Sequence, residues 1–106
     1  MRERYGMLKV AVEDGIALVG LDRADKLNAL PCEFWTDIQD LLTDAEAAEA
    51  VRVLVLYGEG RCFSVGGDIN GFGELSDIPA RRRYQELAFA AFRALENFPK
   101  PTIAAV

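Results

Sequence analysis

The sequence predicts an α/β fold in which a strand hairpin is followed by alternating helices and strands. Residues 7–12 and 16–21 are short apolar segments, separated at residues 13–15 by a turn sequence that is typical of a hairpin. Residues 34–45 place apolar side chains at helical spacing, and residues 51–57 form a continuous apolar run rich in β-branched side chains. A strand, helix, strand order of this kind predicts a right-handed crossover between parallel strands.

The first helix is predicted to begin at Pro31 and to end near Ala50. Pro31 fits the first turn of a helix, and the carboxylate of Glu33 complements the positive end of the helix dipole. The strand after the helix, residues 51–57, is typical of a sheet that is covered on both faces. One apolar stripe of the helix is predicted to face the core: Phe34, Trp35, Ile38, Leu41, Leu42 and Ala45.

The end of the chain repeats the same order of elements. After a loop over residues 70–79, a second helix is predicted over residues 80–97, and residues 102–106 are predicted to open another buried strand. The basic run at residues 81–83 is expected to be a solvated helix face rather than an anion contact. The apolar face of the second helix is predicted to consist of Tyr84, Leu87, Ala88, Ala91, Leu95 and Phe98.

The composition indicates a globular protein and argues against several classes of function. The 106 residues allow one domain at most, and 51% of them are hydrophobic while 27% are charged. A net charge of -5 argues against a nucleic-acid surface. No apolar segment approaches the ~20 residues of a membrane helix. The N-terminal residues lack the apolar core of a signal peptide, so a cytoplasmic protein is expected.

The reactive side chains also narrow the chemistry. The chain contains no histidine, which argues against His-based catalytic triads and the usual zinc or iron sites. Cys32 and Cys62 have no metal-ligand spacing and form no disulfide framework. We therefore expect both thiols to be buried and expect no bound metal.

The glycine-rich stretch at residues 58–69 is the candidate functional site, because it directly follows a predicted buried strand. A dinucleotide-binding fingerprint fails, since Phe63 stands where a third glycine is needed, and no Gly-Lys-Ser/Thr sequence supports a phosphate loop. Gly66 and Gly67 can adopt conformations closed to other residues and turn an N–H into a cavity. The stretch therefore fits half of an oxyanion hole, with a simple tight turn as the alternative.

Three segments together resemble the crotonase superfamily, whose members include enoyl-CoA hydratases and isomerases. They are Arg-Ala-Asp-Lys-Leu-Asn-Ala at residues 23–29, Gly-Arg-Cys-Phe-Ser-Val-Gly-Gly-Asp-Ile at residues 60–69, and Lys-Pro-Thr-Ile-Ala-Ala-Val at residues 100–106. The resemblance implies a crotonase-like spiral of β-β-α units that binds acyl-coenzyme A thioesters. It further implies that residues 1–106 are the N-terminal part of a single such domain, incomplete in this chain.

The resemblance also implies roles for individual residues. The N–H of Gly67 is expected to be one of two donors that polarise the thioester carbonyl. Lys26 is expected at the phosphate and adenine end of coenzyme A, although a solvated loop lysine is the alternative. Asp68 is expected to contact the substrate or to cap the turn that follows it. The full set of residues implied to bind acyl-CoA is Lys26, Leu27, Ala29, Val65, Gly67, Asp68, Ile69 and Asn70.

Three positions depart from the usual pattern of the family. Ala24 replaces a proline, which is expected to loosen the loop around it. Val65 replaces a smaller residue and is expected to crowd the floor of the pocket. Gly67 replaces an alanine, and this change is expected to cost little because the donor belongs to the backbone.

The activity implied by the resemblance is that of an enoyl-CoA hydratase. Water would add across the α,β double bond of an enoyl thioester through an enolate held at Gly67, and no separate cofactor is expected because coenzyme A is part of the substrate. The second oxyanion donor and the catalytic carboxylates are expected beyond Val106, in a longer protein.

Other functions remain open at this stage. Isomerisation, thioester hydrolysis, decarboxylation and lyase chemistry share the same half-site. A non-catalytic acyl-CoA-binding module is the alternative if the 106 residues are the whole chain. A homotrimer or a dimer of trimers is expected from the resemblance alone.

Overall fold

The computed structural model describes residues 1–68 and 78–106, and these residues form one sheet with two α-helices. The strands lie in chain order across the sheet, with β1 to β3 antiparallel and β3 to β5 parallel. This arrangement confirms the predicted α/β class. The strands are β1 (Arg4–Tyr5), β2 (Leu8–Glu13), β3 (Ile16–Leu21), β4 (Val53–Gly58) and β5 (Thr102–Ala105). The helices are α1 (Phe34–Ala47) and α2 (Ile78–Glu96), with a 3₁₀ helix at Ala24–Lys26.

The predicted hairpin joins β2 to β3. Asp14 and Gly15 have φ angles of 52° and 82°, and two successive left-handed residues give the turn that matches the twist of antiparallel strands. β2 is shifted by one residue from its predicted bounds, whereas β3 has the predicted bounds. β1 was not predicted, because two residues are too few to display an alternating pattern.

Helix α1 carries the predicted buried stripe, since its buried residues are the six that were listed from the sequence. The predicted bounds were too wide. Pro31 lies in the turn before the helix, where its C=O accepts the Phe34 N–H at 3.0 Å, and Glu33 occupies the N-cap position without a side-chain capping bond. At the other end, the Lys100 ammonium donates to the C=O groups of Ala45 and Ala48 at 2.7 and 2.9 Å. A cation that binds these last carbonyls stabilises the C-terminal end of the helix.

The core lies on the helix side of the sheet. Ala17, Val19 and Leu54 are fully buried there, in one apolar cluster with both helices. On the opposite face of the sheet, Ile16 and Leu18 are 39% and 37% exposed. The expectation that β4 belongs to a sheet covered on both faces is therefore wrong for the described residues, because both helices pack on one face. The prediction that β5 is a buried strand is also wrong, because β5 is an edge strand with all its residues exposed.

Helix α2 begins two residues before its predicted start, at Ile78, and ends one residue before its predicted end. Its predicted apolar face is confirmed, since Ala88 and Ala91 are buried and the other members pack partly buried against the core. The arginines at residues 81–83 are exposed, as expected. The prediction for the cysteines was wrong: Cys32 is exposed and Cys62 half-buried, because both lie in loops. No helix in the described ranges has the length and apolarity needed to cross a bilayer.

Candidate active site

The candidate site is formed where two loops run side by side. The first loop comprises residues 22–30 and the second loop comprises residues 59–68. The Val65 N–H donates to the Leu27 C=O at 3.2 Å, and the Leu30 N–H donates to the Gly66 C=O at 2.8 Å. The structure therefore brings together the two segments that the sequence assigned to one site, although they lie more than 30 residues apart in the chain.

The first loop turns sharply because two consecutive residues are left-handed. Leu27 and Asn28 have φ angles of 53° and 57° and follow the 3₁₀ helix directly. Asparagine tolerates this conformation well, whereas leucine rarely adopts it. The carbonyls of both residues accept hydrogen bonds from the second loop, Leu27 from the Val65 N–H and Asn28 from the Ser64 hydroxyl at 2.7 Å.

Asn28 is the polar residue at the centre of the two loops, and its side chain is fully buried. Its Oδ1 accepts the Arg23 N–H at 2.9 Å. Its Nδ2 lies 2.9, 3.0 and 3.0 Å from the C=O groups of Glu59, Cys62 and Phe63. One amide thus satisfies three carbonyls of the second loop and one N–H of the first, as buried polar groups require. Sequence reasoning did not select Asn28, and the only signal that could have marked it is the tolerance of asparagine for a left-handed conformation in a tight loop.

The peptide group between Gly66 and Gly67 is fixed in direction. Gly66 has a φ of +99°, its N–H donates to the Ser64 Oγ at 3.0 Å, and its C=O accepts from Leu30. Because a trans peptide is planar, the Gly67 N–H points opposite to the Gly66 C=O and hence away from the first loop. The Asp68 N–H returns to the Leu30 C=O at 2.9 Å, which completes an isolated parallel bridge between Leu30 and Gly67. Among the described residues no acceptor lies on the Gly67 N–H.

Asp68 pairs with a residue that was not predicted to belong to the site. Its Oδ2 lies 2.9 Å from Nη1 of Arg23, and both side chains are largely buried, at 16% and 27% exposed. The same Nη1 donates to the Ala29 C=O at 2.8 Å. Arg23 therefore connects the two loops, and Asp68 has a role within the protein. The turn that Asp68 was expected to cap lies outside the described residues.

The other residues that were predicted to bind acyl-CoA differ in their exposure. Lys26 is exposed at the end of the 3₁₀ helix, Leu27 is half-buried, and Ala29 is buried. Val65 is 60% exposed, so the expectation that it crowds a pocket floor is not met in the described part of the chain. The last two residues of the predicted set, Ile69 and Asn70, lie outside the described residues.

An ion pair supports the base of the second loop. The Lys9 Nζ lies 2.8 Å from the Glu59 carboxylate, which connects β2 to the first residue of the loop. The hydrogen bond from Lys9, followed by one from Tyr57, lowers the pKa of Glu59 below its usual 4.5. The same hydrogen bond to Glu59 raises the pKa of Lys9 above its usual 10.5. The charged forms of both groups are thus the ones that the folded protein favours.

An open apolar cavity of about 300 Å³ lies between the two helices and the sheet. It reaches the site through Leu30 and Ser64, which are both hydrogen-bonded to Gly66. Across the described residues, no cluster of three or more His, Cys, Asp or Glu is arranged to hold a metal ion. The cavity is lined by Leu21, Leu30, Phe34, Trp35, Leu56, Phe63, Ser64, Phe92, Leu95, Thr102, Ile103 and Ala104.

Comparison with known proteins gives one consistent result. A family profile described as enoyl-CoA hydratase/isomerase matches residues 11–106. An enoyl-CoA hydratase of Alternaria alternata is 37% identical over 94 residues, which are 88% of this chain and 31% of that protein. The (7aS)-7a-methyl-1,5-dioxo-2,3,5,6,7,7a-hexahydro-1H-indene-carboxyl-CoA hydrolase of Mycobacterium tuberculosis is also 37% identical over 94 residues, which are 89% of this chain and 38% of that protein.

A crystal structure leads to the same group of proteins. That of an enoyl-CoA hydratase/isomerase from Xanthobacter autotrophicus Py2 superimposes with a TM-score of 0.89 at 30% identity, over 97% of this chain and 39% of that one. The described residues thus have the crotonase-type α/β fold. The match over residues 11–106 shows that the chain belongs to the enoyl-CoA hydratase/isomerase family. The predicted resemblance and fold class are confirmed, and the chain spans 31% to 39% of the length of these three relatives.

Proposed function

We propose that the protein containing this chain is an enoyl-CoA hydratase and that the Gly67 N–H is one donor of its oxyanion hole. The observation that carries this proposal is the fixed peptide between Gly66 and Gly67, whose C=O is held by Leu30. An N–H that is aimed before substrate arrives costs no reorganisation when negative charge develops on a thioester oxygen. When water adds to the double bond, an enolate forms, and the Gly67 N–H stabilises its negative charge by a hydrogen bond.

The apolar cavity next to the site supports a substrate with a hydrocarbon chain. Ten of its lining residues in the described part of the chain are apolar or aromatic, and the polar Ser64 lies where the cavity meets the glycine turn. An acyl thioester has the same division, with an apolar tail and a polar carbonyl at its end. We place the acyl chain in this cavity and the thioester carbonyl near Gly67.

The contacts to coenzyme A follow from the same placement. Lys26 is an exposed cation on the first loop, next to the site, and is available to the phosphates. Leu27 and Ala29 continue the same surface. Coenzyme A enters as part of the substrate, so the reaction proposed here uses no separate cofactor or metal. The second oxyanion donor and the acid and base belong to residues outside this chain, and the assembly proposed is a homotrimer or a dimer of trimers.

A second candidate is another reaction of the same family, hydrolysis in particular. The observation that favours it is that a relative named as a hydrolase is as similar to this chain as a relative named as a hydratase, at 37% identity each. Both reactions begin with the same polarised thioester carbonyl. They differ in the groups that handle water and protons.

The test is turnover of a short-chain enoyl-CoA by the full-length protein that contains residues 1–106. Loss of the absorbance of the conjugated double bond, with the thioester retained, identifies hydration, whereas release of the coenzyme A thiol identifies hydrolysis. In Gly67→Pro the N–H is removed, and we expect kcat to fall by roughly 10²–10³-fold. Gly67→Ala retains the N–H and should lose much less.

Two results would contradict the proposal. Release of free thiol by the wild-type protein, without loss of the double bond first, would replace hydration by hydrolysis. Equal turnover by Gly67→Pro and wild-type protein would remove Gly67 from the oxyanion hole whatever the reaction. Thr43→Ala serves as the control, because it removes an exposed hydroxyl-to-carbonyl hydrogen bond within α1 and leaves the residues of both loops unchanged.

A further inference from the structure

We propose that Ser64, held by Asn28, is a positioning residue that fixes the direction of the Gly67 N–H. This inference rests on the proposed function, because the direction of that N–H matters only if it meets a substrate oxygen. Ser64 itself touches no reacting atom in the proposal. It acts through Gly66.

The Ser64 hydroxyl joins the two loops by two hydrogen bonds. It donates its one proton to the Asn28 C=O at 2.7 Å and accepts the Gly66 N–H at 3.0 Å. A hydroxyl has a single donor, so donation to Asn28 leaves its lone pairs for Gly66. In both hydrogen bonds the donor and the acceptor are therefore fixed: the Ser64 hydroxyl donates only to Asn28 and accepts only from Gly66.

Gly66 is the residue at which this constraint matters. Its φ of +99° lies in a region that glycine enters and leaves easily, and among the described residues an added Cβ there would have no neighbour within 4 Å. Two hydrogen bonds restrain the adjoining peptide groups, one from its N–H to Ser64 and one to its C=O from Leu30.

Asn28 supplies the fixed point for Ser64. Its backbone N–H donates to the Arg23 C=O at 2.9 Å, and its buried side chain contacts three carbonyls of the second loop. The carbonyl that receives the Ser64 proton is thus anchored on both sides. The Asn28 carbonyl thus orients the Ser64 hydroxyl, and the hydroxyl orients Gly66. The direction of the Gly67 N–H follows from these two hydrogen bonds.

The test compares Ser64→Ala with Ser64→Thr in the full-length protein. Ser64→Ala removes both hydrogen bonds. Ser64→Thr keeps the hydroxyl, and its added methyl has room because Ser64 lines the apolar cavity. A misplaced donor weakens stabilisation of the transition state more than it weakens binding, so we expect kcat to fall by about 10- to 100-fold in Ser64→Ala with KM nearly unchanged. Ser64→Thr should restore most of kcat.

A spectroscopic measurement separates positioning from a general structural effect. An unreactive acyl-CoA labelled with ¹³C at the thioester carbonyl is bound to each variant, and its chemical shift is compared with that of the free ligand. Wild-type protein and Ser64→Thr should shift the resonance downfield through the polarising N–H. Ser64→Ala should bind the ligand and shift it clearly less. If Ser64→Ala does not fold, Ser64→Cys keeps nearly the same shape with a weak hydrogen-bonding group and should give an intermediate shift.

The outcomes are distinguishable. A wild-type shift that Ser64→Ala reproduces in full overturns the positioning role and leaves Gly67 as the donor. A fall in kcat without any change of the carbonyl shift overturns it as well, because the loss then arises elsewhere. A wild-type protein that binds the labelled ligand without shifting it overturns the proposed function itself, and this inference with it.

Discussion

The core beneath helix α1 and the joined loops both contain fully buried residues but are held together by different forces. Ile38 and Leu41 are fully buried among apolar neighbours, and their packing depends on volume and has no preferred donor or acceptor. Asn28 is also fully buried, yet its side chain makes four hydrogen bonds that each require a particular atom in a particular place. The core therefore fixes where the elements lie, and the loops fix where single peptide groups point.

This difference predicts opposite sensitivities to substitution. A core position should tolerate a change of shape that conserves volume and apolarity. The buried amide should tolerate almost no change of chemistry, even when the shape is kept, because each carbonyl left without a donor costs free energy. Three measurements test this contrast, in order of decreasing effect.

The largest effect is expected for Asn28→Asp, which keeps the shape and removes both N–H donors. A carboxylate would face the carbonyls of Glu59, Cys62 and Phe63 inside the protein, and a buried charge without a partner is strongly unfavourable. We expect the free energy of unfolding of the full-length protein to fall by about 3–5 kcal/mol. Urea unfolding followed by circular dichroism measures it. Asn97→Asp is the matched control, since Asn97 is exposed. Equal losses at both positions would contradict the stabilising role of the buried Asn28 amide.

A smaller effect is expected for Leu41→Met in the core. Leu41 is fully buried, and methionine has a similar volume and more rotatable bonds with which to fit the space. We expect a loss of less than about 1.5 kcal/mol in the same urea experiment. If Leu41→Met lowered the free energy of unfolding as much as Asn28→Asp does, the core would depend on particular atoms as strongly as the loops do. That result would contradict the difference proposed between the two regions.

The smallest effect is expected at the ion pair that supports the second loop. Because Lys9 lowers the pKa of Glu59, ionised Glu59 stabilises the folded protein above its usual pKa of 4.5, and this contribution is lost as the pH falls through the lowered value. Glu59→Gln should therefore be less stable than wild-type protein at neutral pH and nearly equal to it in strong acid. Glu46→Gln at an exposed position is the control. A difference that does not change with pH would exclude this linkage.

Apolar periodicity predicted the core well and the site only in part. The six buried residues of α1 follow from a spacing of 3.6 residues, and the hairpin follows from a turn sequence that few other structures accommodate. Helix ends were less predictable. Lys100 lies 52 and 55 residues from the carbonyls that it contacts at the end of α1, and no local pattern contains such a contact.

The site was predicted through its glycines and its family motifs, and its supporting residues were not. Gly66 and Gly67 were selected because a donor needs an unobstructed backbone. Asn28, Ser64 and Arg23 act through contacts between the two loops, which depend on the tertiary structure. Asp68 was expected to contact the substrate or to cap the turn that follows it, and its ion pair with Arg23 could not be inferred from sequence spacing.

The contact of Lys100 with the end of α1 also couples two elements that are distant in the sequence. Lys100 lies two residues before β5 and donates to the carbonyls of Ala45 and Ala48, which are 55 and 52 residues away. Bringing such distant groups together costs chain entropy, which the contact helps to offset. Fraying of the last turn of α1 should therefore also loosen β5 at the edge of the sheet, because the same lysine contacts the helix and leads into the strand that pairs with β4.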